Sequence, residues 1–186
     1  MIDKEYLDNF EEKLQQEVLR LCTSYKMLDG KLLATDDIDG YWDTLAPEYV
    51  ADAVQQVSEY PTVSVAWAAY LGMAIAFGWD TDWESFSKMG YKDFYGEQGF
   101  DDMDEHIVRD ILGISLETEE AHELESMIRR SAQTVIALIR HEQIEPQSPM
   151  AFHVFARAVK VMYKIGAAIE LKRLGYKFEK VNIADC

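Results

Sequence analysis

The chain has 186 residues, 48% of them hydrophobic and 28% charged, with 34 acidic against 18 basic side chains and a formal net charge of −16. That length and apolar fraction fit one globular domain, and four Pro with ten Gly exclude a collagen-like or low-complexity chain. The acid excess repels phosphates, so neither nucleic acid nor an anionic membrane is expected as a partner.

The N-terminus, Met1-Ile2-Asp3-Lys4-Glu5, has neither the basic nor the apolar region of a secretory signal. Leu7, Phe10, Leu14, Val18, Leu21, Tyr25 and Leu28 then recur at steps of three and four, one face of a first helix that Asp29-Gly30 is expected to stop. Cys22 falls on that apolar face, and the other cysteine, Cys186, is the last residue. Two cysteines make no disulfide framework here, and the default compartment is a reducing cytoplasm.

A polar connector is expected from Thr35 to Gly40, followed by a second helix over 47–59 with Pro47 in its first turn. The connector matches a calcium loop poorly. With Gly40 at the glycine position, Asp37, Asp39 and Asp43 fall on ligand positions, but Thr35 and Ala46 stand where the first ligand and the bidentate Glu belong. It reads as a solvated turn.

Residues 62–79 carry no charge, which is at the lower limit for a membrane-spanning helix. The stretch is rich in Ala, Gly, Ser and Thr, and its nearest charges, Glu59 and Asp80, are acidic at both ends. It reads as the central helix of a bundle, where small residues let neighbours approach closely.

Thr81 and Glu84 have capping-box spacing and open a short helix ending near Gly90 or Gly96; 96–99 is a turn. Asp101, Asp102, Asp104 and Glu105 load the first turn of another short helix that Gly113 ends. A long helix over 116–143 carries the seam Ala121, Leu124, Ile128, Ser131, Val135, Leu138, a coiled-coil spacing. Ser148-Pro149 is a cap followed by a first-turn proline, so a last helix runs over 149–174, with Gly175 ending it. Its seam is Phe152, Phe155, Val159, Met162, Gly166, Ile169, with a second apolar row of Val154, Ala158, Val161, Ile165 and Ala168 beside it. The tail, 176–186, is expected to be extended. The fold class is therefore all-α: one domain, 1–186, of six or seven helices, with the two long C-terminal helices packed on the apolar central one.

Charge is asymmetric. Residues 150–186 hold seven basic and three acidic side chains, net +4, and residues 1–149 hold 11 and 31, net −20. His153, Arg157, Lys160 and Lys164 form a basic stripe on the last helix. It either balances the acidic remainder of the domain or grips an anion or acidic partner through Arg157, Lys160 and Lys164.

Glu119 and His122 make one Glu-x-x-His pair, but di-iron bundles need that motif twice, so no metal or other cofactor is expected. No catalytic or nucleotide-binding motif is present. The densest chemistry is aromatic: Trp79, Trp83, Phe86, Tyr91, Phe94, Tyr95 and Phe100, interleaved with Asp80, Asp82, Glu84, Asp93 and Glu97. Such a cluster forms a satellite core, or holds a cationic or sugar-like ligand or a partner protein. The binding residues this points to are Trp79, Asp80, Asp82, Trp83, Tyr91 and Tyr95. The expectation for function is a non-enzymatic acidic module that binds a basic protein. The alternative is a small-ligand or metal-binding protein, or an enzyme, with its site between helices near 79–105.

Overall fold

A computed structural model describes residues 2–179. Seven helices and no strands occur among the described residues. They are α1 (Lys4–Ser24), α2 (Asp36–Gln56), α3 (Pro61–Thr81), α4 (Trp83–Phe86), α5 (Met103–Glu105, continued by a π-helical turn His106–Ile111), α6 (Glu119–His141) and α7 (Pro149–Arg173). A 3-10 turn, Tyr91–Phe94, lies between α4 and α5.

The centre is α3, buried on all sides at thirteen of its residues, with α7 as its principal neighbour and α6 and α2 beside it. It is long and apolar enough to cross a membrane, yet 72% of its most apolar stretch is buried inside the protein. Small residues explain the tight α3–α7 crossing. A Cβ on Gly72 would lie 2.0 Å from the Tyr163 carbonyl oxygen, and one on Gly166 would lie 1.9 Å from that of Ala69. The two backbones therefore meet through reciprocal glycines. The seams of α6 and α7 are buried as their spacing requires, except that Leu138 is half-buried and Phe152 is 49% exposed near the start of α7.

Several boundaries differ from expectation for physical reasons. Helix α2 begins at Asp36, so the acidic run is a helix N-terminus and not a turn or calcium loop. The Thr35 hydroxyl accepts the Ile38 N–H at 2.9 Å, and Asp36, Asp37 and Asp39 sit where the helix dipole favours anions. Pro47 accordingly lies inside the helix. Helix α1 stops at Ser24, because the chain reverses at Lys26, with φ 66°, before it reaches Gly30. Tyr25 is consequently 52% exposed, while Leu28 still returns to the core. The cap of α4 is Asp82, whose carboxylate accepts the Ser85 N–H at 3.3 Å; the Thr81 hydroxyl instead donates back to Phe77. The 96–99 turn closes through reciprocal 3.1 Å backbone hydrogen bonds, and the Ser148 hydroxyl caps α7 as expected. Of the tail, residues 176–179 run beside the α1–α2 connector, where the Ala34 N–H donates to the Glu179 carbonyl at 3.1 Å. Cys186 and the rest of the tail lie outside the described residues.

Candidate partner-binding face

The fold sorts charge. Residues 32–105 carry sixteen acidic side chains against two basic ones, Lys88 and Lys92, a net −14 out of the total −16. This segment is α2, α3, α4 and the start of α5. Helix α2 packs on α3, on α7 and on the 3-10 turn, and α4 and α5 pack on α3. The nearly balanced remainder is α1, α6 and α7, which pack on one another. Because α3 is almost chargeless, the excess sits on α2 and on the 80–105 segment. Asp36, Asp37, Asp43, Glu48, Asp80, Asp82, Glu84, Asp93, Glu97, Asp101 and Glu105 are all exposed there.

The aromatic residues of this region divide into two groups. In the first, the Trp79 indole N–H donates to Asp37 Oδ2 at 3.2 Å, its ring meets Tyr176 edge-on at 5.6 Å, and the Tyr176 hydroxyl donates to Asp80 Oδ1 at 2.6 Å. Trp83, capped into α4 by Asp82, meets Tyr41 edge-on at 5.6 Å. Trp79 and Trp83 are both half-buried, so each shows part of its ring beside exposed carboxylates. In the second group, the Tyr91 hydroxyl donates to Asp52 Oδ2 at 2.8 Å, and Tyr95 donates to the same oxygen. Burial, helped by the hydrogen bond to Asp52, pushes Tyr95 up to about 12 and Tyr91 further still. Both phenols stay neutral donors, pinning the 3-10 turn to α2. Tyr91, Phe94 and Phe100 are buried and continue through Tyr49 into the main core. Tyr91, Phe94 and Phe100 thus form a satellite core, while Tyr95, like Trp79 and Trp83, is half-buried at its edge.

Long-range partners carry this geometry. Asp37, Asp52 and Tyr176 lie 42, 39 and 96 residues from the side chains they hold. No local spacing marks them, although an amphipathic α2 beginning at Thr35 would have placed Asp37 and Asp52 on it.

The basic stripe faces α1. Arg157 donates to Asp8 at 2.7 Å and to Glu11 at 3.2 Å, Lys160 lies 3.5 Å from Glu11, and Lys164 donates to Gln15 at 3.1 Å. Further along α7, Arg173 forms a two-pronged pair with the fully buried Glu170 at 2.7 and 3.0 Å, and Lys172 donates to the Lys26 carbonyl at 2.8 Å. The cations of α7 are thereby engaged on the α1–α6 side of the bundle.

Glu119 and His122 are exposed on α6 and line, with Tyr25, Met27, Glu123 and Arg130, an open groove of about 430 Å³. Among the described residues, no three His, Cys, Asp or Glu side chains gather closely enough to hold a metal ion. Comparison with protein-family models, with curated proteins and with solved structures finds no match to this chain.

Proposed function

We propose that the protein is a non-enzymatic interaction module that holds a basic protein on the face formed by α2 and residues 79–105. One observation carries this reading: net −14 of the total charge falls on that side, while the cations of α7 are spent on carboxylates and carbonyls elsewhere. An uncompensated field of one sign steers an oppositely charged protein and suppresses wrong partners. Trp79 and Trp83 supply the half-buried aromatic anchors on which interface energy concentrates. Trp83, packed edge-on against Tyr41 and capped into α4 by Asp82, is held in position before a partner arrives.

The test is titration against polylysine and a panel of small proteins with pI above about 9, followed by tryptophan fluorescence. Binding should weaken as salt rises. Asp43→Asn with Glu84→Gln should weaken it several-fold and flatten the salt dependence, while Glu119→Gln with Glu123→Gln on α6 should leave it unchanged. Salt-independent binding, or none, overturns the reading.

A further inference from the structure

The last described residues are seated on the acidic face in a way that outlines a receptor. Beyond Gly175, whose φ of 101° turns the chain away from α7, residues 176–179 run along the connector between α1 and α2. Main-chain contacts come from Ala34 N–H to the Glu179 carbonyl at 3.1 Å and from Lys31 Nζ to the Lys177 carbonyl at 3.4 Å. Side-chain contacts come from Tyr176, whose ring meets Trp79 and whose hydroxyl reaches Asp80. Asp37 fixes the Trp79 indole from behind. Beneath, the crevice lined by Leu28, Leu33, Lys172 and Tyr176 has only about 10 Å³ left, room for no more than one water, so the chain fits it closely.

Outside that ring the segment is little buried among the described residues. Lys177 and Glu179 are exposed, Phe178 is 58% exposed, and no helix includes them. A segment with few buried contacts opens locally at small cost.

We infer that the 31–34 backbone, Trp79, Asp37 and Asp80 form a docking site for an extended peptide, and that residues 176–179 occupy it as an internal stand-in. The occupant in function is an extended segment of the basic partner that carries a tyrosine, the side chain that meets Trp79 and Asp80 in the internal stand-in. The identity of that partner rests on the acidic-face reading above. Main-chain addition to the Ala34 N–H contributes affinity without regard to sequence, as in strand addition. The ring and hydroxyl site contributes specificity: phenylalanine fills the Trp79 contact but leaves Asp80 without its donor. The partner competes with a tethered segment, so the parent chain binds more weakly than one whose strap is loosened.

The experiment uses the full chain, labelled with nitrogen-15, and its Tyr176→Ala variant; the probe is the synthetic peptide LGYKFEK. In the variant, the peptide should shift the Trp79 indole and Ala34 amide resonances, whereas the parent should need at least about tenfold more peptide for the same shift. LGAKFEK should shift neither, and Tyr176→Phe should fall between parent and Tyr176→Ala. Tyr176 follows the end of α7, so unchanged helical circular dichroism will confirm folding. Absence of binding to the variant, equal binding to variant and parent, or shifts confined to the α6 groove overturn the inference. Peptide binding without any basic protein bound would remove only the acidic-face reading. Basic proteins bound equally by parent and Tyr176→Ala, with no peptide binding, would remove only this one.

Discussion

Asp104 is half-buried in α5, two residues before the π-helical turn. Burial, with the Glu105 and Asp102 carboxylates close by, pushes it up to about 6 against the backbone N–H groups that favour its charge. Folding therefore favours the protonated form, and the sign follows from linkage. The cost is absent below the unfolded value near pH 4, grows as pH rises, and is complete above about pH 6. Asp104→Asn keeps an acceptor and removes the charge. It should match the parent at pH 4 and be more stable at pH 7 by about 1–2 kcal/mol, allowing for partial solvent screening. Urea titrations at the two pH values check this; a variant equally stabilised at both would show that charge is not the cause. Gly72 and Gly166 make an opposite case, in which adding one methyl is harmful. Alanine is the better helix former by about 1 kcal/mol, but the added methyl meets backbone that has no rotamer to escape into. Gly72→Ala or Gly166→Ala should cost at least about 1–3 kcal/mol net, the usual penalty of overpacking. Gly40, in α2 with open space around it, is the control: Gly40→Ala should stabilise by about 0.5–1 kcal/mol. Thermal melts of the three variants decide it.

At the scale of elements, α3, α6 and α7 were legible because apolar periodicity, Ser148-Pro149 and Gly175 all agree on them. Helix α2 was misplaced because two local signals competed. Its acidic start resembles a solvated loop, and its proline resembles a first-turn residue. The cap at Thr35 and the burial of Ile38, Tyr41, Trp42 and Leu45 settle the matter through tertiary contacts, Trp42 with Tyr163 of α7 and Tyr41 with Trp83 of α4. Tolerating Pro47 costs the helix the hydrogen bond to the Asp43 carbonyl, which is affordable because both residues face water. Pro47→Ala restores that bond and should stabilise the protein by about 1–3 kcal/mol. Were Pro47 in a first turn, the same change would be neutral or harmful, so denaturant midpoints distinguish the two placements directly. The outward site was half legible for a related reason. Composition singled out Trp79, Asp80, Asp82, Trp83, Tyr91 and Tyr95, but which of them face outward depends on Asp37, Asp52 and Tyr176, and only the tertiary fold brings those together.

For the whole molecule, the informative quantity is where the charge lies. A chain of net −16 with evenly scattered acids would have no preferred side; here the α2 side carries nearly all of it. The stripe on α7 belongs to the other side, locked against α1, which separates its role from that of the acidic face. Replacing Arg157 and Lys160 with Gln should cost about 1 kcal/mol or less, the usual worth of partly exposed ion pairs. The loss should shrink as salt screens those pairs. Binding of a basic partner should be unchanged, because neither cation touches residues 32–105 through any of the ion pairs or hydrogen bonds described. The double variant is therefore measured twice, by melting at low and high salt and by the fluorescence titration. A small, salt-sensitive loss of stability with intact binding is the expected pair of results. Intact stability with lost binding would mean that the stripe, and not the acidic face, is where the partner docks.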